Sequence, residues 1–206
     1  MDCPDWDVRQ LVAHVLGAME GQVSLRELAH QVRAGKKAAG DRADLDGMSD
    51  VQVREREHLP PKQLVERLAT TGPRAAAARA RRPALMRRLP FTQDLPGVGV
   101  ERWTVAYLLD VIWTRDTWMH RIDISRATGR QLQLTPDHDG RIVADVARDW
   151  AARHGQPVTL TLTGPAGCAL ASGQRGTDLQ LDAIEFCRIV SGRAAGTGLL
   201  SCPVPF

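Results

Sequence analysis

Apolar residues recur at intervals of three and four over the first two thirds of the chain, which is the spacing of amphipathic helices. The first such run follows Trp6 and reads DVRQLVAHVLGAMEGQVSLRELAHQVRAG. Its apolar face begins with Val8, Leu11, Val12, Val15 and Leu16. We predict a helix here, capped by Asp5 or Asp7.

Glycines interrupt this pattern before it resumes. Gly35, Gly40 and Gly47, with charged residues between them, predict a loop. A second helical stretch is predicted from about Val51 to His58, where two consecutive prolines end it.

A third helix is predicted to open at Pro61 and to continue until Pro83 interrupts it. The segment 89–99, LPFTQDLPGVG, is rich in proline and glycine and predicts a loop. The longest continuous helical pattern follows, from Val100 to about Thr128, with Gly129 at the position expected for a C-terminal cap.

Alternation of apolar and polar residues, which is typical of strands, occurs only in the last third of the chain. A predicted helix from about Pro136 to His154 leads into the strand PVTLTLTG, and CALAS and TDLQLDA predict two more strands. Ala183 to Ser191 predicts a closing helix. We therefore predict an α+β fold, with a helical domain over residues 1–133 and a small αβββα domain over residues 134–206.

Composition narrows the function classes. The 206 residues are 43% hydrophobic and carry 27 Lys and Arg against 24 Asp and Glu, and a net charge of +3 does not imply a nucleic-acid partner. We interpret the arginine-rich stretch PRAAAARARRPALMRR as a solvated helix face. No window approaches 18 consecutive apolar residues, and the first ten residues lack a signal-peptide pattern, so we expect a cytoplasmic protein with no membrane partner.

The four cysteines, Cys3, Cys168, Cys187 and Cys202, lack the CxxC spacing of zinc or redox motifs. They are also too few for a disulfide scaffold. We expect reduced thiols.

The long predicted helix carries two groups that can bind a metal. Asp116 and His120 are four residues apart and Asp123 follows three later, so all three project from one helical face. A carboxylate and an imidazole one turn apart can hold a divalent ion, and the i+3 carboxylate can orient the imidazole. An ordinary ion pair on the helix surface explains the same spacing.

His14 is the candidate for a third ligand, because it lies within the apolar stripe of the first predicted helix. A buried histidine needs a partner for its ring nitrogens. A metal shared with Asp116 and His120 provides one, and a neutral core histidine bonded to a backbone carbonyl is the alternative.

Two segments together resemble a known family. CPDWDVRQLVAHVLG and RDTWMHRIDISRATGR are similar, in order and in spacing, to the two metal motifs of the mycothiol-dependent maleylpyruvate isomerase family. The later stretches VTLTLTGPAG, FCRIVSGRAAGTGLL and VPF resemble the tail of one actinobacterial branch of that family. The resemblance implies a DinB-like helical bundle that binds a metal, followed by a small α/β domain.

The resemblance assigns chemical roles to specific residues of this sequence. Its three metal ligands correspond to His14, Asp116 and His120, and its functional arginine corresponds to Arg193. The resemblance implies a divalent metal, with zinc as the first choice, and mycothiol as the thiol cosubstrate. The thiol adds to a small electrophilic carboxylate, and it either leaves after rotation about the former double bond or stays attached.

The sequence departs from the family pattern at two points. Asp116 stands where the family usually has Glu, which is one methylene longer. The family also has a complete helix before the motif that contains Trp6, so one bundle helix is expected to be missing. A bundle without one helix exposes an apolar groove. There are three explanations. The true start of the protein lies upstream of Met1, a homodimer covers the groove, or the segment from Val51 to His58 supplies a replacement helix.

Three hypotheses of function follow. The first is a mycothiol-dependent isomerase or thiol transferase with small-molecule partners. The second is a non-enzymatic binding or regulatory module with a structural metal, and the third keeps the fold without a metal.

Overall fold

The structure is a computed structural model that describes residues 6–95 and 98–206. The chain divides into two compact units, residues 6–130 and residues 131–206. Asp5, one of the two predicted caps, and Cys3 lie outside the described residues. Helices fill most of the first unit and a sheet with helices forms the second, so the predicted α+β class is confirmed.

The first unit contains seven α-helical segments and a β-hairpin among its described residues. Their bounds are α1 Val8–Val23, α2 Leu25–Ala39, α3 Asp44–Arg54, α4 Pro61–Ala80, α5 Ala84–Arg87, β1 Pro90–Leu95, β2 Gly99–Thr104, α6 Val105–Tyr107 and α7 Trp113–Thr128. A π-helical turn, Leu108–Ile112, joins α6 to α7.

The first predicted helical run is two helices. Asp7 caps α1 and forms a capping box, in which it accepts from the Gln10 backbone and the Gln10 side chain accepts from the Asp7 backbone. Ser24 has extended backbone angles, ends α1 and caps α2 by accepting from the Glu27 backbone. A serine that caps the following helix therefore explains the break that the apolar spacing alone did not predict.

The predicted loop over Gly35, Gly40 and Gly47 is wrong for two of the three glycines. Only Gly40 lies between helices, with a φ of +61°. Gly35 and Gly47 lie inside α2 and α3, where a Cβ added at Gly47 would lie 2.2 Å from the Gly35 carbonyl oxygen. These glycines therefore let two helices cross closely. Helix α3 spans Asp44–Arg54, so it begins seven residues before the predicted 51–58 stretch.

A second correction concerns residues 89 to 104, which were predicted as a loop and then a helix starting at Val100. The structure has an antiparallel hairpin in which Phe91 pairs with Trp103 and Pro90 with Thr104. The rings of Phe91 and Trp103 meet edge to face at 6.1 Å. Cross-strand aromatic contacts stabilise such pairs. The predicted loop residues 96 and 97 lie outside the described residues.

The predicted end of the long helix is confirmed. Gly129 caps α7 in the left-handed conformation, with a φ of 65° and a ψ of 12°. Glycine adopts this conformation without the steric cost of a Cβ. The helix therefore places its last turn as the sequence predicts, although it starts at Trp113.

The core of the first unit is built around α1, which contacts α2, α3, α4 and α7. Ala13 and Leu16 of α1 form a buried cluster with Leu64 of α4. Pro61 opens α4 as predicted. The helix at Asp44–Arg54, which overlaps the expected replacement segment, packs against α1.

The second unit has the predicted order. A π-helical turn at Pro136–Gly140 precedes α8, Arg141–His154, and the strands are β3 Val158–Thr163, β4 Ala169–Ser172 and β5 Thr177–Asp182, followed by α9 Ala183–Val190 and a 3₁₀ turn at Gly198–Ser201. Strand β3 is central, antiparallel to β4 and parallel to β5.

Burial in the second unit explains why its sequence pattern was informative. Every second residue of β3, beginning with Val158, is buried and the residues between are exposed. Trp150 of α8 meets Phe186 of α9 edge to face at 5.3 Å, and both are fully buried. Large aromatic side chains of this kind dominate the energetics of a small core.

No helix among the described residues is long and apolar enough to cross a membrane.

Candidate metal centre

Helix α1 supplies the first side chain of the candidate centre. His14 is 7% exposed and lies between the buried residues Ala13 and Val15. The Trp6 ring lies against its imidazole, with ring centroids 4.9 Å apart. The Asp7 cap fixes where α1 begins, so Trp6 lies just before the helix and His14 lies in its second turn.

Helix α7 supplies the other two. His120 is 6% exposed, and its Nε2 lies 3.3 Å from Asp116 Oδ1, one turn away. His120 Nδ1 lies 2.9 Å from Asp123 Oδ2, and Asp123 is fully buried. A carboxylate acceptor at Nδ1 fixes the ring and leaves Nε2 with a lone pair on the Asp116 side.

The fold brings the three predicted ligands together from two helices. His14, Asp116 and His120 each offer one ligand atom, and these atoms lie within 4.8 Å of one another. The two imidazole rings meet edge to face with centroids 5.0 Å apart. Asp116 reaches this group although it is one methylene shorter than the glutamate of the family pattern.

The electrostatics of His14 favour the form that binds metals. Burial, the largest cause, lowers its pKa from the ordinary value of 6.5 to about 4. The Asp116 carboxylate opposes this shift, His120 adds to it, and Gln52 opposes it. His14 is therefore neutral at neutral pH, with a lone pair on one ring nitrogen.

The donor set fits a divalent cation. Two imidazole nitrogens and one carboxylate oxygen are the ligands of many zinc and related sites, and three protein ligands leave a coordination position for another group. The Nδ1 atom of His14 is buried and has no hydrogen-bond partner among the described residues. A buried ring nitrogen of this kind needs a hydrogen-bond partner, and the second ring nitrogen then stays available for a cation.

Sequence reasoning missed one residue near the centre. Gln52 of α3 is 2% exposed and interacts with His14, but its Oε1 and the His14 Nδ1 do not reach hydrogen-bond geometry. It stands between two apolar residues in VQV, and a buried polar residue in such a run is the only local signal.

Arg193, the predicted functional arginine, belongs to the second unit. It follows α9, is half-buried, and its backbone N–H donates to the Arg188 carbonyl. Its role therefore stays a prediction.

The arginine-rich stretch is partly structural. Arg79 donates to the Leu109 carbonyl at 2.9 Å, and Arg82 donates to the Gln22 carbonyl at 2.6 Å. These two side chains join α4 and the residues after it to other parts of the first unit. The interpretation as a solvated helix face therefore holds only for the exposed members, among them Arg74, Arg81 and Arg88.

The three cysteines that the structure describes, Cys168, Cys187 and Cys202, carry free thiols. Burial, opposed by Arg148, raises the pKa of the Cys168 thiol. A raised pKa is unfavourable for a nucleophilic cysteine.

Residues 1–125 match the family model described as the mycothiol maleylpyruvate isomerase N-terminal domain. The chain belongs to this family. The match covers both helices that supply the candidate centre, α1 and most of α7. The match therefore confirms the resemblance to the mycothiol maleylpyruvate isomerase family that the two sequence motifs indicated.

Comparison with solved structures adds a weak likeness. A crystal structure of a mutant mycothiol-dependent maleylpyruvate isomerase is 15% identical, with a TM-score of 0.48, and the match covers 92% of this chain and 75% of that one. No curated protein matches the chain significantly.

Proposed function

We propose that this protein is a metal-dependent enzyme that uses a low-molecular-weight thiol, mycothiol, to isomerise or conjugate a small electrophilic carboxylate. The observation that carries the proposal is the convergence of His14, Asp116 and His120 within 4.8 Å. Membership of the mycothiol maleylpyruvate isomerase family supports the choice of thiol and of substrate class.

Each residue of the centre has a separate task. His14 and His120 bind the cation through neutral imidazole nitrogens, and Asp116 contributes one negative charge. Asp123 holds the His120 ring from its other nitrogen at 2.9 Å. A divalent cation in this position lowers the pKa of a bound thiol and makes the thiolate available at neutral pH. We favour zinc, since the donor set suits it.

Trp6 and the buried surroundings of His14 exclude water from one side of the centre. The centroid of the Trp6 ring lies 4.9 Å from that of the His14 ring. A low-dielectric wall strengthens the attraction between a cation and its ligands.

Arg193 is our candidate for binding the substrate carboxylate. A guanidinium forms two parallel hydrogen bonds to a carboxylate and stabilises negative charge that develops during thiol addition. The same task arises in isomerisation and in conjugation. The two reactions differ in whether the thiol leaves the product.

The first test is elemental analysis of the purified protein and of three variants. We expect about one equivalent of divalent metal in the wild type and its loss in His14→Ala and His120→Ala. His58→Ala is the matched control, because His58 is exposed in the same unit, and it should retain the metal. A wild type that stays metal-free after added zinc contradicts the proposal.

The second test is a coupled assay for mycothiol-dependent isomerisation and conjugation. Turnover that requires both the thiol and the metal, and that falls in Arg193→Ala, supports the enzyme. A stoichiometric metal without turnover on any thiol and electrophile instead supports a module in which the metal is structural.

A further inference from the structure

We infer that Gln52 is a positioning residue for His14: its side-chain carbonyl accepts a hydrogen bond from Nδ1–H and thereby leaves the Nε2 lone pair for the metal. This inference rests on the proposed metal centre. It concerns residues of α2 and α3, which lie outside the two metal motifs.

The orientation of the amides starts from two groups that only accept hydrogen bonds. Gln31 of α2 is fully buried, and its Nε2 donates to the Gly17 carbonyl and to a Glu27 carboxylate oxygen, each at 2.8 Å. Because neither acceptor carries a proton to donate, the Gln31 amide group must present its NH₂ to them. Its Oε1 is thus directed to the other side.

The next amide is oriented by the first. Gln52 Nε2 donates to Gln31 Oε1 at 2.8 Å. An amide oxygen only accepts, so the reversed orientation of Gln52 would set two oxygens against each other. The Gln52 Oε1 atom is therefore directed away from Gln31, and it requires a hydrogen-bond donor.

His14 is the neighbour that can provide that donor. Gln52 crosses α1 one turn after His14, where a Cβ added at Gly17 would lie 2.7 Å from the Gln52 Cβ. Gln52 Oε1 and His14 Nδ1 are both buried and both without a hydrogen-bond partner among the described residues. The interaction of Gln52 with the ring also raises the pKa of His14.

The two atoms are complementary. One is a carbonyl oxygen that needs a proton, and the other is a ring nitrogen that carries one in one of the two neutral tautomers. Two unpaired buried polar atoms are costly, and a small rotation of the ring or the amide that pairs them removes both penalties.

The pairing decides the chemistry of His14. With the proton held on Nδ1, the lone pair is on Nε2, as Asp123 arranges for His120. Gln52 thus corresponds to Asp123, but it is a neutral acceptor from another helix. The hydrogen bonds from Gln31 to the Gly17 carbonyl and from Gln52 to Gln31 therefore determine which ring nitrogen of His14 carries the proton.

The direct test is a long-range ¹H–¹⁵N spectrum of the chelator-treated, metal-free wild type with the ring nitrogens of His14 assigned. We expect Nδ1 to be protonated and Nε2 to be unprotonated at neutral pH. A predominant Nε2–H tautomer would overturn the inference. This measurement needs no metal, so its outcome is independent of whether the centre binds zinc.

A variant extends the test. Gln52→Met keeps the length of the side chain and removes the acceptor. We expect a mixture of His14 tautomers and a zinc affinity lowered by about 10–100-fold, measured by competition with a chromophoric chelator.

The matched control for this variant is Leu64→Val, which loosens the packing of the buried cluster with Ala13 and Leu16 and leaves the amides intact. It should lower the melting temperature while the tautomer and the zinc affinity stay unchanged. Equal tautomer populations and equal zinc affinities in Gln52→Met and Leu64→Val would make Gln52 a structural residue only and would refute the inference.

Discussion

His120 and His14 face the same small space from two helices, but the surroundings of their rings differ. The acceptor for His120 is Asp123, three residues away on α7, at 2.9 Å. The surroundings of His14 are assembled from three helices, with Trp6 before α1, Gln31 on α2 and Gln52 on α3. One ring is therefore oriented by local helix geometry and the other by tertiary packing.

This difference has consequences for which changes should disturb the centre. A helix brings residues i and i+3 together whenever it forms, so the Asp123–His120 contact depends on α7 alone. The position of Gln52 depends on the crossing of α2 and α3 and on the contact of α3 with α1. Substitutions distant from the metal ligands should thus affect His14 and spare His120.

The largest effect is expected for Gly47→Ala. The added Cβ would lie 2.2 Å from the Gly35 carbonyl oxygen and 2.6 Å from the Ala39 nitrogen, both backbone atoms that cannot move aside cheaply. We expect a loss of about 3 kcal/mol in the free energy of unfolding, measured with urea. The zinc affinity should also fall, because α3 carries Gln52.

Gly72→Ala is the control for that substitution. Gly72 lies inside α4, and the nearest atom to an added Cβ would be the Met19 sulfur at 3.8 Å. Alanine has the higher helix propensity, but Pro73 follows and disfavours a Cβ on the helical residue before it, so the free energy of unfolding should change by less than about 1 kcal/mol. A Gly47→Ala protein as stable as Gly72→Ala would contradict the close crossing of α2 and α3.

What could be predicted from the sequence follows the same division between local and tertiary structure. The second unit was predicted in the correct order, because the alternation in β3 directly reflects which residues are buried. The i, i+3 and i, i+4 spacings of Asp116, His120 and Asp123 predicted that the three side chains share one face of α7, because helix geometry alone determines that face. Each of these signals depends only on the geometry of one element.

The errors occurred where distant residues decide the structure. Gly35 and Gly47 have the same local propensity as loop glycines, and only the crossing of two helices explains their positions. The β1–β2 hairpin was missed because its strands contain Pro90 and Gly99, which predict loops. Gln52 was missed because its partners, Gln31 and His14, are 21 and 38 positions away.

The next effect is expected for Asp123→Asn, which preserves the shape of the side chain and removes its charge. The neutral amide is a weaker acceptor for His120 Nδ1–H and can turn its NH₂ toward the ring. We expect zinc affinity to fall by about 10–100-fold, with the His14 tautomer unchanged in the ¹H–¹⁵N spectrum of the metal-free protein.

The corresponding control for α7 is Asp110→Asn, because Asp110 is a half-exposed acid in the turn before α7 whose partner is Arg87. Removing this partly exposed pair should cost less than about 1 kcal/mol and leave zinc affinity unchanged. A His14 tautomer that changes in Asp123→Asn would show that the two rings are not supported independently.

The smallest effect concerns Glu27, which accepts from Gln31 and from the buried Arg56. Burial raises the pKa of Glu27, but the hydrogen bonds from Gln31 and Arg56 and the charge of Arg56 outweigh it, so the pKa lies below the ordinary value of 4.5. A depressed pKa means that the folded state binds the proton less well than the unfolded state. This stabilisation is complete above the unfolded-state pKa and is lost as the pH falls through the folded-state pKa.

We therefore expect the free energy of unfolding to decrease from about pH 5 to pH 3, and Glu27→Gln to flatten part of that decrease. Glu57→Gln, at an exposed position of the same unit, is the control and should leave the profile unchanged. Equal acid profiles in Glu27→Gln and Glu57→Gln would contradict the stabilising role of the contacts that Glu27 makes with Gln31 and Arg56.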